Sequence, residues 1–479
     1  MRNILNIKYD KDNRYHNMLF ASIVFILVLI AVMIPSPPRQ TVEYPAYKAE
    51  YLDQYGKQFD AFKKGQLHID IEADKTLEGL QNPYDPNERE ASGAEYLWDH
   101  AYYNGKYYSY FGIAPIFTVY YPFYFVTRSL PSSSMACFIL AVYAIIFISL
   151  AHREFAIRFA KNANLISLLL SLIGTVCASG VYLGVLCSDV YYVAVLSALG
   201  FVFSCVFFMF RGMREERPVL RGILFFLSGV SVVLAVLSRP TASLLCLAVA
   251  PLFIDYVLKI RKNNLKAGIA TSLSFVLPVV IGAVFVMLFN NARFGSPFDF
   301  GANYQLTIND ISENVIEFDF LLPALFSFFI NPFTFKKAFP FVEMNMNLTL
   351  PEGARYVYSH YYIGAFSHVL PLGLLFAPRL FFIDRKKKES DKVKIATVAL
   401  VFVVCIIVAF ADFCLAGVNM RYIYDITPML SAAGAFILLD LQSKTKGAER
   451  VAVTLLSSLI FILTIFSCIN VVVSISKIL

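Results

Sequence analysis

The chain is predicted to be an all-α polytopic membrane protein with about eleven transmembrane helices, its N-terminus in the cytoplasm and its C-terminus outside. Two observations predict this class. The composition is 58% hydrophobic and 16% charged over 479 residues. Apolar runs near the ~20 residues that a helix needs to cross a bilayer also recur along the chain. Because backbone groups in lipid must be paired within their own segment, these runs are expected to be helices.

Charged or polar residues end each of the eleven predicted spans. The spans cover residues 18–34, 133–151, 164–186, 189–210, 222–238, 241–258, 268–290, 363–383, 394–412, 422–440 and 451–475. The first span has the features of a signal anchor, since Pro35-Ser36-Pro37-Pro38 follows it instead of a small-residue cleavage site. We therefore expect this span to stay attached to the rest of the chain.

The run from Phe111 to Val126 is apolar but is interrupted by two prolines, and basic residues decide whether it spans. If it lies in the outer interface, 24 lysines and arginines fall in inside segments and only Arg239, Arg421 and Lys477 in the short outside segments. If it spans, most of those 24 residues move outside. The positive-inside rule therefore predicts that residues 111–126 do not cross the membrane.

The whole chain, residues 1–479, is predicted to form a single integral membrane domain with two long outward loops, residues 35–132 and 291–362. These loops hold most of the non-basic polar residues, so chemistry is expected on the outer face. The net charge of +7 comes mostly from the inside segments and gives no support to nucleic-acid binding. The expected location is the plasma (inner) membrane of a bacterium, as a multi-pass protein.

The positions of the cysteines exclude some kinds of site from the two long loops. All eight cysteines fall in or next to predicted spans, so neither long loop contains one. This excludes a disulfide framework or a Cys-based zinc site in the loops. Carboxylates of the loops could hold a divalent cation, although their spacing does not form a tight ligand set, so no metal ligand is assigned.

The polar loops carry local structural signals. Residues 44–65 are predicted to form a surface helix that ends at Gly65, with its aromatic residues in a stripe along the membrane. The segment Asn82–Asn87 and the dipeptide Asn104-Gly105 predict tight turns. The Phe-rich run 318–335 is too short and proline-broken to span, which favours an interfacial helix.

Charged residues near the outer ends of spans are informative, because ionisable groups near hydrocarbon are costly and usually paired or functional. Asp189 opens one span, Arg239 precedes Pro240 at an outside turn, and Arg421 and Asp425 lie where another span begins. Simpler explanations stay open. Arg421 and Asp425, four residues apart on a helix, would pair with each other, and Arg239 would anchor the chain at the interface.

Several short motifs, taken in order, resemble those of one family. They are Asp53 ahead of Ala61-Phe62-Lys63-Lys64-Gly65-Gln66-Leu67, Pro83-Tyr84-Asp85-Pro86 with Arg89, Asp99 with Tyr103-Asn104-Gly105-Lys106-Tyr107-Tyr108-Ser109, Ser238-Arg239-Pro240-Thr241, Ala292-Arg293-Phe294-Gly295-Ser296-Pro297 and Arg421-Tyr422-Ile423-Tyr424-Asp425. Together they are similar to the bacterial polytopic C-type (GT-C) glycosyltransferases, the group of protein mannosyltransferases and lipid-A aminoarabinose transferases. The resemblance spans most of the chain, and its specificity lies in the order of the motifs.

The resemblance implies a GT-C-like fold and an inverting transfer of a hexosyl or pentosyl group from a polyprenyl-phosphate donor. The acceptor would be an envelope glycan, lipid or protein, and membrane lipids would surround the chain. An acidic residue on the first outer loop would be the catalytic acid or base, which by position is Asp53, with Asp99 as its rival. Relatives continue the segment after Asp99 with aspartate, lysine and proline, whereas this chain has Tyr110-Phe111-Gly112. Lys106 could substitute for that lysine in contacting the phosphate.

The chemistry itself requires a carboxylate to take the acceptor's proton and cations to stabilise the departing phosphate. The catalytic candidates are Asp53, Asp99 and Asp85. The candidates for binding the donor phosphate or sugar are Arg89, Lys106, Tyr107, Tyr108, Asp189, Arg239, His360, Arg421 and Tyr422.

Other classes of function remain as alternatives. These are a polytopic transporter, or a flippase or ligase of lipid-linked oligosaccharides. Transporters tend to have broken helices and charges near mid-membrane, whereas the predicted spans carry few charges in their interiors. This difference favours the transferase.

Overall fold

The computed structural model describes residues 7–34, 53–312, 318–344, 357–358, 362–386 and 391–477. Its α-helices are α1 (Arg14–Met33), α2 (Gln54–Lys63), α3 (Lys75–Glu78), α4 (Pro86–Ser92), α5 (Tyr121–Thr127), α6 (Ser133–Phe159), α7 (Leu165–Ala178), α8 (Val181–Cys187), α9 (Val190–Arg214), α10 (Pro218–Val236), α11 (Pro240–Ser243), α12 (Ala250–Asn263), α13 (Leu265–Phe294), α14 (Leu321–Phe329), α15 (Ala377–Lys386), α16 (Asp391–Ala416), α17 (Met420–Lys444) and α18 (Gly447–Ser476).

Short 3₁₀ and π segments and small sheets complete the fold. The 3₁₀ segments are Leu244–Val249, Ala302–Tyr304, Phe318–Phe320, Ala365–His368 and Leu370–Phe376, and a π-helix covers Ile116–Tyr120. The strands are β1 (Ala101–Tyr103), β2 (Lys106–Tyr108), β3 (Thr334–Phe335), β4 (Val342–Glu343), β5 (Val357–Tyr358) and β6 (Gly417–Val418). They pair as antiparallel β1–β2, antiparallel β3–β4 and parallel β5–β6.

Ten helical segments within the described residues are long and apolar enough to cross a membrane. They are α1, α6, α7 with α8, α9, α10, α11 through α12, α13, α16, α17 and α18. The all-α membrane class predicted from the sequence is therefore confirmed. The number of crossings and their orientation stay predictions, since length and composition alone define these segments.

The eighth predicted span, residues 363–383, differs from a regular helix. Two 3₁₀ segments precede α15 there, and Pro371 begins the second one. This segment packs closely on α17, since a Cβ on Gly373 would lie 2.5 Å from the carbonyl oxygen of Gly434. The stretch from Leu370 to Lys386 still rises about 29 Å, close to the thickness of a hydrocarbon core.

The helices differ strongly in burial. Within the most apolar window of each segment, 89% of α9 and 83% of α17 are buried by the rest of the chain, against 17% of α1 and of α13. The segment formed by α7 and α8 is also 83% buried, so it forms the core together with α9 and α17, and α6, α10 and α16 pack around them.

The run 111–126 forms the π-helix Ile116–Tyr120 followed by α5. These twelve residues rise about 18 Å, which is too short to span. Helix α2 packs against them, with Phe59 in ring contact with Tyr121 and Tyr124. The aromatic stripe of α2 thus faces a second short helix rather than the membrane surface, because the apolar run provides a partner. The predicted residues 44–52 of this helix lie outside the described part.

The two long loops pack together. Strands β1 and β2 join at Asn104 and Gly105, both with positive φ, as the predicted turn requires. The Leu306 amide donates to the carbonyl of His100 at 3.0 Å, and its own carbonyl accepts from the Asp99 amide at 2.9 Å. The second loop thereby fixes the backbone of the first loop at Asp99.

Candidate functional site

Asp99 is a buried carboxylate held by two tyrosine hydroxyls. Its side chain is 4% exposed. The Tyr110 hydroxyl donates to Oδ1 at 3.0 Å, and the Tyr191 hydroxyl donates to Oδ2. The backbone is equally constrained, because Gln54 Nε2 donates to the Asp99 carbonyl at 2.6 Å and φ is +57°. Left-handed backbone at a non-glycine residue is uncommon and often marks a functional position.

Local structure explains why these groups meet. The carboxylate of Asp189 caps α9 and accepts from the amides of Tyr191 and Tyr192 at 2.9 and 3.0 Å. This cap fixes the first turn of α9, from which Tyr191 reaches Asp99. Tyr110 follows strand β2 of the hairpin, two residues after Tyr108. The site is therefore built where the polar loop meets a buried helix.

The titration of Asp99 is shifted toward neutral pH. Burial raises its pKa to about 6, while the hydrogen bond from Tyr191, the charge of Arg421 and the hydrogen bond from Tyr110 act in the opposite direction. The carboxylate therefore exchanges a proton near neutral pH. Such a pKa suits a group that must accept a proton in a reaction and release it afterwards.

Arg421 lies beside this carboxylate in a column of rings and guanidinium groups. Its guanidinium carbon is 4.1 Å from the Tyr191 ring centroid and 5.1 Å from that of Tyr422. The Arg239 guanidinium carbon lies 5.0 Å from the same Tyr422 ring. Arg421 donates to the Tyr422 hydroxyl at 3.4 Å. The order along the column is Tyr191, Arg421, Tyr422 and Arg239.

The two arginines differ in their carboxylate partners. Arg239 pairs with Asp425 in α17, and Asp412 in α16 lies 3.7 Å from the same guanidinium nitrogen. Among the described residues, Arg421 makes no ion pair. The explanation that Arg421 merely pairs with Asp425 is therefore wrong, because Arg239 occupies that carboxylate. Interface anchoring of Arg239 is also wrong, since its side chain is 15% exposed and paired.

Three other carboxylates predicted for the site cap helices. Asp53 is exposed and accepts from the Gly56 amide at 3.0 Å at the start of α2. Asp85 caps α4 by accepting from the Asn87 amide at 2.8 Å, and Asp189 caps α9 as described. Of these, Asp53 stays near Asp99, because the adjacent residue Gln54 binds the Asp99 carbonyl.

The remaining predicted binding residues lie mostly in the packing of the first loop. Arg89 is 1% exposed, and its guanidinium donates to the carbonyls of Pro83 and Thr307, so it joins the first loop to the second. Tyr107 and Tyr108 are buried among other loop side chains. Lys106 is exposed at the end of the hairpin. His360 lies outside the described residues.

Tyr110, Tyr191 and Asp412 were not among the site residues predicted from the sequence. A signal existed for Asp412, a carboxylate within an apolar span and thus costly unless paired. Tyr191 and Asp99 are 92 residues apart, and nothing in the sequence links them. Within the described part of the chain, no group of three His, Cys, Asp or Glu side chains is arranged to hold a metal ion.

Comparison with known proteins gives structural matches only. No family model matches the chain, and no curated protein matches it. ArnT from Cupriavidus metallidurans, solved with undecaprenyl phosphate, matches over 96% of this chain and 75% of its own, with 11% identity and a TM-score of 0.45. The Archaeoglobus fulgidus oligosaccharyltransferase AglB, solved with an inhibitory peptide and a dolichol-phosphate, matches with 14% identity and a TM-score of 0.46. This chain covers 56% of the AglB chain, little more than half its length.

Proposed function

We propose that this chain is a membrane glycosyltransferase that moves a sugar from a polyprenyl-phosphate donor to a cell-envelope acceptor. The observation that carries the proposal is that two groups lie close together. One is the buried carboxylate of Asp99, which can accept a proton, and the other is Arg421, which makes no ion pair within the described chain. One group takes a proton and the other stabilises negative charge, and glycosyl transfer from a phosphate needs both.

Asp99 acts as the general base in this proposal. The acceptor hydroxyl attacks the anomeric carbon of the sugar as Asp99 takes its proton. The bond between that carbon and the phosphate oxygen breaks, and the bonding electrons leave with the phosphate. A base with a pKa of about 6 is deprotonated in most molecules at pH 7. The tyrosine hydroxyls keep the carboxylate oriented while the proton moves.

Arg421 receives the departing phosphate. Its position in the first turn of α17, near the end of a candidate span, suits a lipid phosphate whose hydrocarbon tail remains in the bilayer. The planar guanidinium can give two parallel hydrogen bonds to phosphate oxygens. The rings of Tyr191 and Tyr422 lie 4.1 and 5.1 Å from its guanidinium carbon. One of its N–H groups donates to the Tyr422 hydroxyl, so its other N–H groups are the ones that bind the phosphate in this proposal.

We propose that the sugar is transferred in a single displacement, which decides the stereochemistry at the anomeric carbon. The attacking oxygen approaches opposite the phosphate, so the anomeric carbon inverts. A retaining route by double displacement uses a second carboxylate about 5 Å from the first as a nucleophile. The carboxylates described near Asp99 serve as helix caps or bind Arg239. We therefore propose inversion, with a hexose or a pentose as the transferred sugar.

The location proposed for this reaction is the outer face of a bacterial plasma membrane. The distribution of basic residues supports this orientation, because the two long loops then lie outside. The acceptor would be an envelope glycan, lipid or protein. The buried acid Asp99 and the arginine next to it, Arg421, carry this proposal.

Mass spectrometry of cell-envelope glycans tests the function as a whole. A strain that lacks the gene is compared with the same strain carrying the full chain. We expect one sugar to disappear from a glycan, lipid or protein of the deletion strain and to return with the full chain. An envelope identical in both strains, with accumulation of a solute on one side of the membrane instead, would favour transport over transfer.

A further inference from the structure

A buried arginine that the proposed chemistry does not use lies in the last turn of α13. Arg293 is 6% exposed, and within the described residues its guanidinium binds neutral acceptors and makes no ion pair. A buried charge without a counter-ion is costly in or near a membrane and usually marks a functional position. Arg293 also belongs to the motif Ala292–Pro297 that the sequence singled out. Its surroundings indicate what it does.

The last turn of α13 is docked on the hairpin of β1 and β2. Only 17% of the most apolar window of this helix is buried, yet Asn290, Arg293 and Phe294 are 1%, 6% and 3% exposed. The Phe294 ring centroid lies 5.3 Å from that of Tyr108 in β2. This end of an otherwise exposed helix is therefore fixed to the strand that leads to Tyr110.

The guanidinium of Arg293 is held in position and in plane. Nη1 donates to the Ser109 carbonyl at 3.0 Å, and Nη2 donates to Asn290 Oδ1 at 2.8 Å. The guanidinium carbon lies 4.0 Å from the Phe289 ring centroid and 4.8 Å from that of Phe294. A planar fork that binds two acceptors and lies over aromatic rings has little freedom to move, and a lysine cannot reproduce it.

The bond to Ser109 acts on the next residue. The Ser109 carbonyl belongs to the planar peptide unit that contains the Tyr110 amide nitrogen. Arg293 therefore orients the peptide from which Tyr110 extends. The Tyr110 hydroxyl in turn donates to Asp99 Oδ1 at 3.0 Å. A continuous path of contacts thus runs from Arg293 through Ser109 and Tyr110 to Asp99.

We propose that Arg293 is a positioning residue, which holds the peptide between Ser109 and Tyr110 so that the Tyr110 hydroxyl stays on Asp99. This role rests on the proposed function, in which Asp99 takes the acceptor's proton. It acts through the backbone, and Arg293 does not touch the reacting atoms.

Other charged and titratable groups surround both ends of this path. Those that act on Asp99 are Tyr191 and Asp189 of α9, Arg421 of α17 and Tyr110. Those near Arg293 are Tyr108 of β2 and Asp299 of the second loop. The experiments below leave all of these groups in place except Tyr110.

Infrared titration of the full chain in lipid nanodiscs tests the role without an activity assay. The band of the protonated carboxyl group that is missing from Asp99→Asn reports on Asp99. Arg293→Lys keeps the charge but loses the fork, so the hydrogen bond from Tyr110 should weaken and the pKa of Asp99 should rise. An Arg293 that acted only through its charge would leave this titration unchanged in the lysine variant.

A double variant identifies the path of the effect. Tyr110→Phe removes the hydroxyl that Arg293 is proposed to position, so adding Arg293→Lys to it should produce no further rise in the pKa of Asp99. The rise in Arg293→Lys alone should not exceed the rise in Tyr110→Phe. Additive shifts would show that Arg293 acts on Asp99 by another route and would overturn the proposal.

Arg158→Lys is the matched control. Arg158 also donates to a backbone carbonyl, that of Met213 at 3.0 Å, and its guanidinium carbon lies 5.3 and 5.8 Å from two aromatic ring centroids. It is about 32 Å along α6 from Cys137, which contacts the Asp189 carbonyl near the site. This variant should leave the titration of Asp99 unchanged. Equal shifts in both lysine variants would indicate a general loosening of the fold and contradict a specific role.

Asn290→Ala provides the test if Arg293→Lys does not fold. It removes only the 2.8 Å bond to Arg293, so it should raise the pKa of Asp99 by a smaller amount. No rise in any folded variant would overturn the role of Arg293. Sugar transfer by the same samples tests the function separately. A rise without any transfer would support this role of Arg293 and contradict the transferase, and transfer without a rise would contradict the role of Arg293 alone.

Discussion

At the scale of single residues, the site depends on what surrounds each charge rather than on the charge alone. Asp99 and Asp53 are both aspartates of the first loop, yet one is buried under two hydroxyls and the other caps a helix in solvent. Arg421 and Arg239 both lie over the ring of Tyr422, yet only Arg239 has carboxylate partners in the described chain. The surroundings of each aspartate and arginine therefore decide the role proposed for it.

The hydrogen bond from Tyr110 gives a prediction about pH. It stabilises the charged form of Asp99, so Tyr110→Phe should raise the pKa of Asp99 above its value of about 6. A general base works only when deprotonated, so activity falls below this pKa. The acid limb of the pH profile of kcat/KM should therefore move to higher pH in the variant.

Tyr84→Phe is the matched control for this experiment. It also removes a hydroxyl hydrogen bond in the first loop, at 3.0 Å to the carbonyl of Tyr102, but it does not touch Asp99. Its acid limb should coincide with that of the unmodified chain. If the acid limb of the kcat/KM profile of Tyr110→Phe stays in place or moves to lower pH, the group that controls activity there is not Asp99.

The arginines give a second prediction. Arg421→Lys keeps the charge but loses the forked donor, so kcat/KM for the donor lipid should fall about 10- to 100-fold with little change in Tm. Arg239→Lys makes the same change at a buried ion pair, so Tm should fall instead. Steady-state kinetics and thermal unfolding measure the two effects. If both variants lower Tm alike and leave the donor KM unchanged, Arg421 is purely structural.

Residue identity was more predictable than residue pairing. Arg239, Arg421 and Asp425 could be selected from the sequence because they are charged groups beside apolar runs, and Asp99 could be selected from the motif that carries the family resemblance. The partner of Arg239 could not, since Asp425 is 186 residues away and the two meet only after α11 and α17 pack. Helical spacing favoured a local pair for Arg421, and tertiary packing overrode it.

At the scale of elements, one close contact holds the first loop against the helical bundle. A Cβ on Gly112 would lie 2.1 Å from the Leu237 carbonyl oxygen and 2.5 Å from that of Ser238. The Ala114 amide donates to the same Leu237 carbonyl at 2.9 Å. The segment that carries Tyr110 therefore approaches the turn before Arg239 at a distance that only glycine permits.

Gly112→Ala tests this contact. The added methyl group must displace backbone, so the variant should lose about 1–3 kcal/mol of stability and much of its activity. Gly79→Ala, in the same loop, is the control, because the nearest atom to its Cβ would be 3.5 Å away. Thermal unfolding and transfer assays compare the two. Equal stability of both variants would mean that the loop is not held in this way.

The sequence predicts the secondary-structure elements that depend on residue type alone. The long apolar helices and the Asn104-Gly105 turn follow from residue type alone. The irregular segment at residues 365–376 does not, and Gly373 within it approaches Gly434 of another helix, a contact that the sequence does not reveal. The burial of the α2 aromatic residues likewise depends on a partner that is distant in sequence.

At the scale of the whole molecule, the proposed reaction requires both long loops on the outer face. Single cysteines introduced at positions 90 and 388 of a variant without the eight natural cysteines test this topology. An impermeant thiol reagent added from outside should label position 90 and leave position 388 unlabelled, because the basic residues around 388 favour the inside. Labelling of position 388 alone would reverse the orientation of the chain.

The central claim is that Asp99 is the base of a sugar transfer from a lipid phosphate. The most direct measurement is release of polyprenyl phosphate by the purified full chain from polyprenyl-phosphate hexoses and pentoses, in the presence of envelope acceptors. Asp99→Asn should reduce turnover about 10²- to 10⁴-fold. Asp53→Asn should retain most of it, because asparagine also caps helices well. Unchanged turnover in Asp99→Asn, or its loss in Asp53→Asn alone, would contradict the account.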